Sequence, residues 1–203
     1  MKKLILLAAL VALSAQAAAP QPERVRGTIR SFDGQTLKVA TADYGVVQLS
    51  VGERTGINGL ERKTVEDIHD DTFIGTTAVK GASGRWQATE VHIFPESMRG
   101  AGEGHYAWDL PSSTMTNAAV AGIAGERNGR TLHLKYSTNQ GAATGGVVDV
   151  DITDKTAIVA FTVGDRILLV PGASVFALVV PQADDSAAAV AIVVETRGVK
   201  PPM

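Results

Sequence analysis

Several side chains able to ligate a metal fall between His92 and Met115, and the candidates taken from them are His92, Met98, Glu103, His105, Asp109 and Met115. Imidazole suits copper and zinc, and thioether sulfur selects Cu(I). A His/Met set in a chain without cysteine therefore fits a copper or zinc ion held in an oxidising compartment. Plainer roles compete with that reading. Met98 and Met115 can fill apolar gaps. Glu103 and Asp109 can accept backbone N–H bonds in a glycine-rich loop, and His105 can hydrogen-bond beside Trp108. The His-x-x-x-His spacing of metal fingers is absent. Tyr106 and Trp108 are the candidate partner-binding residues of the same stretch, because aromatic anchors carry much of the binding energy at interfaces. A protein or glycan would be the partner. Exposed rings favour that role; buried rings favour a structural clasp.

Other clusters point to chemistry less firmly. Gly100-Ala-Gly-Glu-Gly104 has the glycines of a phosphate loop but no Lys-Ser or Lys-Thr after them, and Glu103 would repel phosphate. A hydrolase triad can be drawn from His105, Asp109 and Ser112 or Ser113, with neither a Gly-x-Ser-x-Gly elbow nor a His-Glu-x-x-His helix to support it. Asp70-Asp71 and Asp184-Asp185 sit at expected turns, where Asp bonds its own backbone. Glu66 to Asp71 reads as an acidic helix start and turn, with Thr64-Val-Glu-Asp67 resembling a capping box. Catalysis is not the expectation. Nucleic acid is not an expected partner either, since the chain carries 19 Lys+Arg against 21 Asp+Glu and has no basic cluster to neutralise phosphates.

The elements that must position these residues begin after an export signal. Lys2 and Lys3 precede an unbroken apolar run from Leu4 to Leu13, and Ala15-Gln-Ala17 supplies a small-x-small cleavage site. The run is about half of the roughly 20 residues a spanning helix needs. The expectation is a signal peptide over residues 1–17, a periplasmic or secreted mature chain, and no transmembrane segment within it. Removing Lys2 and Lys3 leaves 17 basic against 21 acidic residues, a net charge of −4.

The mature part repeats itself. Val25 to Val39 aligns with Val120 to Leu134, matching Gly27 with Gly122, Asp33-Gly34 with Asn128-Gly129, and Thr36-Leu37 with Thr131-Leu132. Asp-Gly and Asn-Gly favour tight hairpin turns, and alternating apolar residues follow, Leu37 and Val39 or Leu132 and Leu134. Val47, Leu49 and Val51 correspond to Val148, Val150 and Ile152. Strands are expected at Phe73 to Val79 and Ser174 to Val180, and again at Ala88 to Phe94 and Ala188 to Glu195. His133 lies opposite the apolar register and is expected at the surface. Short strands with turns between them predict an all-β fold of two tandem small β-barrels, OB-like or SH3-like. A single two-sheet sandwich is the alternative. The first repeat covers 24–94, the second 118–200, and an ordered joining segment 95–117 lies between them. That segment is too long for a routine connector and too rich in Trp, Tyr and Met for a flexible one.

The repeated Gly-Thr/Ile…Asp/Asn-Gly-x-Thr-Leu pattern resembles a family of exported bacterial small-β-barrel domains of unknown function. His92-Ile-Phe-Pro-Glu-Ser-Met-Arg-Gly-Ala-Gly-Glu-Gly-His-Tyr-Ala-Trp-Asp109, followed by Met115-Thr-Asn117, resembles a subgroup with two such domains and this joining segment. The resemblance extends over nearly the whole mature chain, to Pro201-Pro-Met203. It implies the fold and export. Some members are labelled metal-transport permeases, a label that implies membrane spans this sequence does not contain after its signal. Asp70-Asp71 departs from the Pro-Gly turn usual there, which the second copy keeps as Pro171-Gly172. The functional expectation is an exported, non-enzymatic binding protein whose ligand is left open, a copper or zinc ion held by the joining segment being the leading specific candidate. A periplasmic protein- or glycan-interaction scaffold is the alternative, and a hydrolase the second.

Overall fold

The computed structural model describes residues 22–125, 129–182 and 186–202. The expected signal peptide, Asn128 and the Asp184-Asp185 pair lie outside the described residues. The described chain is all-β, with strands β1 (Glu23–Phe32), β2 (Thr36–Ala40), β3 (Val46–Ser50), β4 (Gly56–Arg62), β5 (Phe73–Lys80), β6 (Trp86–Ile93), β7 (Gly104–Ala107), β8 (Ser113–Ala124), β9 (Arg130–Tyr136), β10 (Gly146–Ile152), β11 (Ala157–Val163), β12 (Ser174–Pro181) and β13 (Ala187–Val194). They belong to one 13-stranded sheet. Helix is confined, among the described residues, to short 3-10 turns at Val65–Asp67, Glu96–Met98 and Arg166–Leu168. The expected capping box is present: the Thr64 backbone N–H donates to the Asp67 carboxylate at 2.8 Å. No helix of the described residues is long and apolar enough to cross a membrane.

Local sequence explains the hairpins. Asp33 accepts N–H bonds from Gln35 and Thr36 at 2.9 and 2.7 Å while Gly34 takes φ 99°. That is an Asx-type turn with glycine at the left-handed position. On the strand it launches, Leu37 and Val39 are buried and Lys38 is exposed, the period-two pattern of a strand with one covered face. Leu132 and Leu134 repeat it on β9, with His133 between them reaching out to Asp149 at 2.6 Å.

Pairing of the strands is less local. β1, β2 and β3 form an antiparallel meander, β1 pairs with β12, β12 with β13, and β13 returns in parallel to β3. A second circuit runs β8–β9–β10, then in parallel to β6, then β5, then back to β8. Neither circuit is made from one copy alone. Each takes three strands from one repeat and two from the other. The exchange is carried by β4 and β11, which pair antiparallel with each other and flank β13 and β6 respectively. Three cores follow. Ile29, Leu37, Val39, Leu49, Val175 and Ile192 belong to the first circuit's core, and Ile74, Val91, Val120, Leu132, Leu134 and Val150 to the second's. Leu60, Val159, Phe161, Phe176 and Val193 form a smaller one between the circuits.

The two halves are related by an approximate twofold. Leu49 pairs with Ala187 as Val150 pairs with Trp86. Thr55 Oγ1 donates to Ala189 O as Thr156 Oγ1 donates to Ala88 O. Leu60 pairs with Phe161, its own counterpart, so the axis passes through the β4–β11 ladder. The same pairings correct one alignment. Ile29 corresponds to Val120, because each faces a buried residue of the next strand (Val39 or Leu134) just before a bulge. Gly27 and Gly122 are therefore not equivalent: Gly27 lies opposite Val175 on β12, Gly122 opposite His133 on β9. The connection from β8 to β9, residues 125–129, is longer than the 33–35 turn, so a gapless alignment slips the strand before it.

Candidate functional site

Proline and glycine break the strand pattern after β6, and the joining segment that follows is ordered by bonds to both halves. Arg99 donates to Glu96 and to the Asp71 carbonyl. Glu103 accepts from the Ser137 N–H and hydroxyl at 2.7 and 3.0 Å. β7 then adds to β8, placing Tyr106 opposite Met115 and His105 opposite Thr116. Beyond β7 the chain reaches β1 of the other circuit. The Arg24 guanidinium lies 3.7 Å from the centre of the Trp108 ring and donates to Asp109 at 2.9 Å, while Arg26 binds the other oxygen of that carboxylate. Arg26 in turn covers Phe176 of the central core. The Tyr106 and Trp108 rings meet at a tilt of 58° with centroids 6.1 Å apart, both half-buried. Their exposure lies between the two limits, so it selects neither the clasp nor the partner-binding role.

The six sequence-derived ligand candidates do not share one centre. His105 Nδ1 lies 2.8 Å from Thr116 Oγ1, its ring edge-on to Trp86. Partial burial disfavours its charged form and lowers its pKa below the usual imidazole value. Glu103 is bound to Ser137 and Asp109 to the two arginines. Met98 is half-buried in its 3-10 turn, and Met115 is buried on β8. Ser113 Oγ donates to the Leu110 carbonyl, so the drawn triad is dispersed among separate partners. Among the described residues no three His, Asp or Glu side chains converge.

His92 is different. Its side chain is 2% exposed, and Nε2 has no hydrogen-bond partner. Glu90, two residues before it on β6, is also buried; its Oε1 lies 3.5 Å from His92 Nε2 and accepts from Thr77 Oγ1 at 2.7 Å. Val91 between them faces the second circuit's core, so Glu90 and His92 face the other way, where the His92 ring meets Phe161. Sequence reading missed Glu90 because a strand places i and i+2 on one face only when its register is known.

The halves also differ at the seams where the parallel pairs close the circuits. At the β10–β6 seam, Arg85 forks onto Asp151 at 2.7 and 2.6 Å and reaches Thr131 at 3.1 Å, beside Trp86. This ion pair holds the Asp151 carboxyl below the usual range. At the β3–β13 seam the corresponding residues are Ser186, Ser50, Thr36 and Ala187. Of these, Ser50 lines a groove of about 890 Å³ beside the seam, together with apolar Val51, Ala188, Ala189 and Val190 and polar Gln35, Glu53, Arg54, Thr55 and Arg166. Arg166 braces its wall by donating to the carbonyls of Gly34, Val51 and Gly52. Nothing in the sequence marks this groove except the contrast between Asp151 and its counterpart Ser50. Comparison of the chain with protein-family models, curated proteins and solved structures finds no match.

Proposed function

We propose that this chain is an exported, non-enzymatic binding protein of the tandem small-barrel kind, with OB-like barrels that exchange strands and a clasp that holds them together. Three features support the barrel reading: an antiparallel three-strand meander, a parallel closure onto the last strand, and a return through the fourth strand to the first, the connectivity of a five-stranded OB-like Greek key. The apolar leader supports export.

The binding reading is carried by one observation: a groove of about 890 Å³ lies beside the β3–β13 seam, whereas at the matching β10–β6 seam Arg85 and Asp151 form a forked ion pair. Fold closure alone would treat both seams alike. The groove sets four apolar residues beside polar and charged ones, a mixed surface on which a ligand's apolar and polar groups can both be met. Its chemistry suits a short extended segment of a protein partner: Val190 is half exposed in the groove, and Arg54 and Glu53 can each meet an opposite charge. A metal held by the joining segment is the weaker reading, because Glu103, His105 and Asp109 are each already engaged.

Site-specific photocrosslinking tests the groove. A crosslinker replacing Val190 should give a discrete adduct with a protein of the exporting compartment, while one replacing Thr89, its counterpart at the β10–β6 seam, should give none. Equal labelling at both, or at neither, rejects the groove as the binding site. Adducts with glycan alone would move the reading to the scaffold's glycan alternative.

A further inference from the structure

Symmetry between the halves identifies what the fold does not require. Glu90 pairs with Ala157 as Ala191 pairs with Gly56, and His92 pairs with Val159 as Val193 pairs with Asn58. Thr77 faces Glu90 as Leu178 faces Ala191. One half therefore fills these positions with Ala, Val and Leu, and the other with Glu, His and Thr. Burying an imidazole and a carboxylate is unfavourable through desolvation unless something compensates. In this half the compensation is incomplete, since His92 Nε2 has no hydrogen-bond partner.

We infer that His92 Nε2 and the Glu90 carboxylate form a buried site for one divalent transition-metal ion of the zinc class. The separation of the two atoms supports a cation between them. At 3.5 Å they are too far apart for a good N–H···O bond, which spans about 2.7–3.2 Å. Zinc bound to imidazole nitrogen and carboxylate oxygen at about 2.0–2.2 Å, with a tetrahedral angle, holds its ligands about 3.3–3.5 Å apart. Thr77 Oγ1 fixes the carboxylate from the adjacent strand, the outer-shell support that metal ligands commonly have. Asn117 Oδ1 is a further buried acceptor without a partner. It lies in the same cross-strand row, Asn117 opposite Gly75 and Gly75 opposite His92. The Asn117 amide leans over Gly75, where a Cβ would come within 2.6 Å of that oxygen. Imidazole and carboxylate form a borderline-hard pair that favours Zn(II) or Co(II) over Cu(I). This site is separate from the seam groove and stands or falls without it.

The test is titration of the full mature chain with Zn(II) against a chromophoric chelator, with Co(II) absorption as a report of ligand type. The informative variant is His92→Val combined with Glu90→Ala, because those are the residues the other half carries at these positions. Wild type should take up one equivalent, the double variant should lose at least tenfold in affinity, and His105→Ala should bind as wild type does. Absence of uptake by the wild type, or undiminished uptake by the double variant, overturns the site. Should the double variant fail to fold, Glu90→Gln decides the matter: it keeps the side chain's shape and must weaken binding at least tenfold.

Discussion

His105 shows how a residue chosen for its chemistry can serve the fold. It sits on β7 between Thr116 and the Trp86 edge, and burial holds its pKa below the usual imidazole value. A depressed folded-state pKa means that the unfolded chain takes up the proton first. The contribution to stability is full above the unfolded value near 6.5 and is lost as pH falls through the lowered folded value. Melting temperature should therefore decline below about pH 6.5 by more in wild type than in His105→Gln, which cannot titrate. Equal slopes in the two proteins would remove His105 from the acid sensitivity of the segment. Asp109 carries a different consequence. Its carboxylate lies between Arg24 and Arg26, and Asp109→Ala leaves two like charges side by side. The three side chains are a quarter to a third exposed, so the loss should be about 1–2 kcal/mol, above the usual surface pair and below a buried one. Denaturant unfolding measures it, and a loss of a few tenths would make the clasp decorative.

At the scale of elements, the turn before β5 separates what the sequence reveals from what it hides. Asp71 takes φ 65° and donates its N–H to Val120 O, while Gly172 takes φ 90° and donates to Ile29 O. The two turns are the same turn, and Asp70-Asp71 is visible in the sequence as a departure from Pro171-Gly172. Glycine enters the left-handed region freely whereas Asp pays a modest strain there, offset by the extra freedom glycine has when unfolded. Asp71→Gly should thus be neutral or stabilising by up to about 1 kcal/mol, and Asp71→Val, β-branched, should destabilise by more than about 1 kcal/mol. Destabilisation by Asp71→Gly in thermal melts would show that the pairing of Arg99 with the Asp71 carboxylate, at 3.5 Å, outweighs backbone strain. Strands and turns of this kind were legible because their causes are local: alternation, Asp-Gly, a capping box. β4 and β11 were not assigned from the sequence. Their partners, β13 and β6, are fixed only by the pairing of distant segments. The site was half legible for the same reason. The joining segment stood out by composition, but Arg24 and Arg26 lie far back in the chain, and Glu90 joins His92 only through strand geometry.

The whole molecule follows from β4 and β11 crossing between circuits. Two barrels each closed within one repeat would obey every local rule of this sequence, since the hydrophobic faces of β5 and β12 are interchangeable in pattern. What differs is connectivity. In the exchanged form, each circuit needs two strands from the other repeat, so the halves are held by full β-ladders on both sides and not only by the clasp. The exposed stretch from Leu110 to Ser112 offers a way to separate these contributions. A protease site inserted there and cleaved in the folded protein should leave a nicked species that elutes as a single particle of unchanged size, even when Asp109→Ala removes the clasp. Only denaturant should part the fragments, and removing it should let them recombine, slowly, because every circuit must assemble strands distant in sequence. Fragments that drift apart in native buffer after the cut would mean that the repeats close on themselves in solution. That result would overturn the exchange. Persistence of the nicked particle would instead locate its cohesion in the ladders around the β4–β11 axis, the same axis beside which the Glu90–His92 pair is buried.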